Sequence, residues 1–191
     1  MIKGILEVIL SGLLVMGIGG DKEPIREGIK RIGIENIDIS ENIKEEVQGT
    51  KIYITQNEIE EMSEYKKYFE EGEKQYSLGS IGIYDSVRGV IYVEDVANKD
   101  YVLLHELMHS YDNKDGKRLS DGEDFRIIHQ QEAERVFNKN TYPDYSDELL
   151  SYYKDQRHEY YAECFAIYKT YPDFLKQVAP MTFNYMEKID K

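Results

Sequence analysis

Two histidines bracket a glutamate in the run Tyr101-Val-Leu-Leu-His-Glu-Leu-Met-His-Ser-Tyr-Asp112, and these side chains bind metal ions and move protons. On a helix, positions four apart lie one turn apart on one face, so His105 and His109 can reach the same ion. Glu106 then sits beside that ion rather than on it. The pattern His-Glu-x-x-His is a zinc hydrolase signature, with two imidazole ligands and a carboxylate placed to take a proton from an activated water. Val102, Leu103, Leu104, Leu107, Met108 and Tyr111 cover most of the helix circumference, as in a helix buried in a core. Polar groups in such a helix must be paired or metal-bound, because an unpaired buried charge is costly.

A third ligand must come from elsewhere. The compact His-Glu-x-x-His-x-x-Gly-x-x-His site is excluded, since Asp112 and Asp115 stand where its glycine and third histidine belong. The remaining candidates are His129, His158, Glu159 and Glu163. His129 lies on an amphipathic stretch, Phe125 to Phe137, and reads as a surface or boundary residue. Glu159 and Glu163 share one face of a second, largely apolar helix, which suits one ligand and one carboxylate orienting a ligand histidine.

The spaced set His105-Glu-Leu-Met-His-Ser-Tyr-Asp112, Leu150-Ser-Tyr152 and Glu159-Tyr-Tyr-Ala-Glu163-Cys-Phe165 resembles the catalytic domain of anthrax lethal factor. It is similar also to the secreted Pro-Pro endopeptidases. The tail Ala179-Pro-Met-Thr-Phe-Asn-Tyr185 resembles the lethal-factor C-terminus, and Leu78-Gly-Ser80 resembles the loop before the metal helix in the Pro-Pro enzymes. The resemblance implies a zinc metalloendopeptidase with one Zn(2+) per chain, held by His105, His109 and Glu159. It makes Glu106 the general base and Tyr152 the donor to the oxyanion, with Tyr153 as an adjacent alternative. Glu163 becomes the supporting acid behind the metal, and Asp112 a structural or supporting acid.

The elements expected to position these groups are a small sheet and a helical C-terminal half, an α+β arrangement of the zincin type. Pro24 can open a helix to about Arg31, and Ser40 can cap another to about Val47. Lys51 to Thr55 alternates like a strand, and Ile59 to Glu70 has apolar residues at helical spacing. Ile81–Tyr84 and Gly89–Val93 flank Asp85-Ser-Val-Arg and predict a hairpin. Val90, Ile91, Tyr92 and Val93, just before the metal helix, are expected to edge the cleft and to accept an extended substrate as an added strand.

At 191 residues and 41% hydrophobic content, the chain can bury one substantial core. Its net charge of -13 argues against nucleic acid and anionic membranes as partners. A peptide or protein substrate and a monomeric enzyme are expected, with no stable membrane span. The apolar stretch Val8 to Ile18 is too short to span a bilayer and has the length of a signal-peptide core, so residues 1–20 are read as a leader on a secreted enzyme whose domain spans 21–191. The lone Cys164 permits no intrachain disulfide. Two alternatives stay open: a catalytically idle relative that binds a peptide, and an intracellular protease if the N-terminus is no leader.

Overall fold

The computed structural model describes residues 11–15, 28–59, 62, 81–113, 116 and 118–191. The predicted helices over Pro24 to Arg31 and Ile59 to Glu70 fall partly or mostly outside them, as do most of the leader and Leu78-Gly-Ser80. Five strands form one mixed sheet: β1 (Ser11–Val15), β2 (Ile29–Ile32), β3 (Lys51–Thr55), β4 (Gly82–Asp85) and β5 (Val90–Glu94), in the order β1-β4-β5-β3-β2. The β4–β5 hairpin forms as expected, with Tyr84 opposite Ile91. Its turn is held by the Asp85 carboxylate, which accepts from the Val87 and Arg88 amides at 3.1 Å each, and Gly89 supplies the positive φ of 61°.

Two expectations are corrected. Ile29 to Arg31 is strand rather than the end of a helix, because it pairs antiparallel with β3 through Ile29–Thr55 and Ile32–Ile52. Val90, Ile91, Tyr92 and Val93 do not edge the cleft. Both ladders of β5 are used, one antiparallel to β4 and one parallel to β3, so its backbone has no free edge for a substrate.

The sheet buries both faces, and alternate residues divide between them. Tyr84, Ile91 and Val93 join the main core, while Ile83, Val90 and Tyr92 pack with Tyr53, Ile59 and Met62 on the other side. Helix α1 (Glu41–Val47) is capped as predicted by Ser40, whose Oγ accepts from the Ile43 amide. Helix α2 (Lys99–Asp112) carries His105, Glu106 and His109 and lies on the main-core face, against β4 and β5 on one side and the C-terminal helices on the other.

Those helices are α3 (Glu123–Val136), α4 (Asp147–Asp155), α5 (Arg157–Thr170), α6 (Pro172–Val178) and α7 (Pro180–Ile189). Prolines open α6 and α7, where a missing N–H costs nothing. The buried Glu132 of α3 accepts from the Met181 and Thr182 amides at 3.1 and 2.8 Å and from the Thr182 hydroxyl at 2.9 Å, which caps α7 with a carboxylate. This explains the Ala179-Pro-Met-Thr182 run physically: it presents those donors to one buried acid. None of the helices among the described residues is long and apolar enough to cross a membrane.

Candidate active site

Helices α2 and α5 pack against each other, and the four-residue spacing on each sets a ladder of polar contacts across an otherwise apolar seam. His109 Nε2 lies 3.5 Å from Glu159 Oε2, and His105 Nε2 lies 3.4 Å from the same oxygen. One turn along, His105 Nδ1 meets Glu163 Oε2 at 2.8 Å, and the Tyr101 hydroxyl donates to Glu163 Oε1 at 2.7 Å. A carboxylate only accepts, so this pairing puts the His105 proton on Nδ1 and leaves Nε2 to present its lone pair.

That lone pair faces the other histidine. The two Nε2 atoms stand 3.0 Å apart, and His105, His109 and Glu159 are buried to within 3%. Ligand atoms at about 2.0–2.2 Å from a tetrahedral zinc stand about 3.3 Å from one another. The separations of 3.0, 3.4 and 3.5 Å match that triangle. All three donors satisfy the grouping expected of one metal site. Glu159 and Glu106 are both sealed from solvent, and the nearest histidine nitrogens stand 3.3 to 3.5 Å from the Glu159 oxygens, at the long end of hydrogen bonding. Two carboxylates buried this completely and held only by long contacts are costly, so the residues fit a cation.

Electrostatics agrees with the geometry. Burial alone would lower the His105 pKa, but the Glu159 and Glu163 carboxylates outweigh it and carry it up to about 10. Burial lowers that of His109, with Glu159 opposing. Burial would raise the Glu159 pKa, yet His109 and His105 hold it well below the ordinary carboxylate range. Burial lifts Glu106 to about 8, against the pull of His105. Without a cation the two carboxylates keep a second proton on His105, at Nε2, through neutral pH; a divalent cation bound there would displace that proton and take up the Nε2 lone pair.

Glu106 sits where α2 touches the sheet. A Cβ built on Gly82 of β4 would stand 2.4 Å from Val102 Cγ1 and 2.9 Å from Glu106 Oε1, so only glycine permits this approach. Tyr152 on α4 reaches the site from the other side. Its phenol is pushed well above its ordinary pKa by burial first and then by the Glu159 carboxylate beside it. Tyr153 instead points into the core, with its ring edge-on to His105 at 6.3 Å and stacked on Phe137 at 5.3 Å. The geometry thus separates the two adjacent tyrosines.

Asp112 lies apart from the metal-facing atoms. Its carboxylate accepts from the Ser120 amide at 2.6 Å and the Ser120 hydroxyl at 2.7 Å, which ties the segment after α2 back to the helix end. His129 is remote too, bonded to the Lys154 carbonyl at 2.7 Å. His158 stands at the rim, with Nε2 3.3 Å from Glu159 Oε1. Tyr101 and Gly82 had escaped notice in the sequence. Tyr101 precedes His105 by one turn and so lies on the ligand stripe, a signal available from spacing alone.

Comparison with known proteins places this geometry in a lineage. No curated protein matches the sequence. Among solved structures, the PRO-PRO endopeptidase PPEP-2 from Paenibacillus alvei aligns with a TM-score of 0.59 at 22% identity, over 79% of this chain and 84% of that one. That likeness shows a shared fold, the zincin-like α+β arrangement. The family model described as "Anthrax toxin lethal factor, N- and C-terminal domain" matches residues 21–189. Since that match takes in the sheet from β2 onward and every helix described above, the chain belongs to the anthrax toxin lethal factor family.

Proposed function

We propose that the chain is a zinc-dependent metalloendopeptidase that hydrolyses a peptide bond of a protein substrate. The observation that carries this reading is the triangle of His105, His109 and Glu159 donor atoms, 3.0 to 3.5 Å apart, beside the fully buried carboxylate of Glu106. A zinc ion bound there supplies Lewis acidity and lowers the pKa of a water to about 7. Glu106 would accept a proton from a water aligned on the substrate carbonyl and return it to the amine nitrogen as the C–N bond breaks. The Tyr152 hydroxyl donates to the oxygen on which negative charge develops, a contribution of about 3 kcal/mol. Glu163 holds His105 in the tautomer that turns Nε2 towards the metal.

We propose further that residues 1–20 are removed on export. They include β1, which covers the outer edge of β4, and β4 is the strand whose Gly82 touches Glu106. With the leader gone, β4 in place of β5 presents the free edge on which an extended peptide can pair. Sequencing the N-terminus of secreted protein tests this, and an intact Met1 would defeat it.

Metal analysis combined with a peptide-library cleavage profile tests the activity. Stoichiometric zinc with cleavage abolished in Glu106→Gln supports it. Absence of zinc from the purified and zinc-supplemented chain overturns it and favours a peptide-binding relative. The profile also reads bond preference, including bonds between prolines, which the name of PPEP-2 specifies for that enzyme.

A further inference from the structure

We infer that Tyr101 is a positioning residue for the metal site, acting through Glu163 on His105. The inference rests on the reading of His105 as a zinc ligand and extends the site by one layer. Glu163 is 1% exposed and its two oxygens divide between two donors: Oε2 pairs with His105 Nδ1 at 2.8 Å, and Oε1 accepts from the Tyr101 hydroxyl at 2.7 Å. Tyr101, His105 and His109 occupy successive turns of one face of α2, while Glu159 and Glu163 occupy successive turns of α5. The helices run in opposite senses, so His109 lies level with Glu159 and Tyr101 lies level with Glu163.

A carboxylate on a three-bond stem can rotate about its last bond, and only one rotation turns Oε2 towards His105. The Tyr101 hydroxyl selects that rotation by holding the other oxygen. The tyrosine is itself fixed, being 6% exposed and packed in the main core, so its hydroxyl is a preplaced donor. The result is a relay from Tyr101 O–H to Glu163 to His105 Nδ1–H, which leaves His105 Nε2 aimed at the ion. Tyrosine fits this position because the ring fills core volume while the hydroxyl does the orienting; phenylalanine would fill the core equally and orient nothing.

The test is a double-mutant cycle on the full chain, read by zinc affinity in chelator competition and by the visible spectrum of the cobalt-substituted protein. Tyr101→Phe is expected to weaken zinc binding about tenfold and to alter the cobalt bands, as removal of an outer partner of a metal histidine does. Placed on Glu163→Ala, the same change should add less than twofold, because its route to the metal is already cut. A merely structural tyrosine gives a different pattern: unchanged affinity and spectrum in Tyr101→Phe, or a tenfold loss that persists in the Glu163→Ala background. Either overturns the inference. If Tyr101→Phe does not fold, replacement of Tyr101 by 4-aminophenylalanine, which keeps the ring and a donor at the same reach, serves instead: recovery of more than half the wild-type affinity supports the relay, and loss of zinc binding in that folded variant overturns it. Failure of the wild-type chain to bind zinc at all is a separate result that removes the proposed function itself.

Discussion

The chemistry is concentrated in a few side chains whose roles divide by what they touch. Glu106 is fully buried, holds its proton up to about pH 8 and is the group best placed for proton transfer, so Glu106→Gln should cut kcat/KM by about 10²–10⁴-fold while zinc content stays at one per chain. Peptidase assays beside metal analysis check this; near-normal turnover removes Glu106 from the mechanism. Tyr152 and Tyr153 offer an internal control, since one lies beside Glu159 and the other is stacked on Phe137. Tyr152→Phe is expected to lower kcat by about 10²–10³-fold, in keeping with loss of one oxyanion donor, with KM and zinc affinity little changed. Tyr153→Phe should cost far less. Equal losses from the two would assign the effect to core packing. At this scale the clustering of the side chains is legible in the sequence because they sit at helical spacing: His105 to His109 and Glu159 to Glu163 each span one turn, so the shared face follows from the numbering. Which of the two neighbouring tyrosines faces the site was not legible, because α4 ends at Asp155 and the extended Gln156 resets the direction before α5.

Elements were legible where local signals agreed with tertiary ones, and obscure where pairing over long sequence distance decided. Ser40 announces α1, and Pro172 and Pro180 open helices at their first positions. By contrast, Ile29-Lys-Arg-Ile32 has too few residues for either periodicity, and its strand state comes from partners at Ile52 to Thr55. The position of β5 could have been inferred. Val90-Ile-Tyr-Val93 is apolar throughout instead of alternating, which marks a strand covered on both faces. Close contact between elements carries its own test. Gly82→Ala introduces a Cβ at 2.4 Å from Val102 and 2.9 Å from Glu106, which must push α2 away from β4. The expected cost is about 1–3 kcal/mol in urea unfolding together with a fall in kcat, since the general base moves. A fully stable, fully active variant would show that the approach is slack. Glu132→Ala examines a different joint: it strips the Met181 and Thr182 amides of their acceptor and should destabilise by about 1–3 kcal/mol. Specific activity of the folded fraction should remain, because Glu132 lies on the far side of α5 chemistry and touches none of the donor atoms.

At the scale of the molecule, the cluster of His105, His109 and Glu159 joins two parts of the chain that the sheet alone does not connect. His105 and His109 belong to the helix that follows the strands, whereas Glu159 belongs to the C-terminal helical half. Glu106, Glu159 and Glu163 place three acids in a dry seam facing two imidazoles, an arrangement whose excess negative charge suits a divalent cation. Zinc should therefore act as a folding ligand. At free zinc a thousandfold above its Kd, the linkage gives about 4 kcal/mol, which for a chain of this size raises Tm by about 10 °C. Chelation should reverse the gain without unfolding the protein at room temperature, because Leu107, Met108, Tyr161 and Phe165 pack across α2 and α5 with or without the ion. Calorimetry in zinc and in chelator measures the difference, and two variants locate it. Glu106→Gln should keep the zinc-dependent increment and Glu159→Ala should lose most of it, since the first removes the base and the second a ligand. An increment that survives Glu159→Ala would place zinc elsewhere on this acidic chain, and a Tm indifferent to zinc would mean that the seam is held by protons alone.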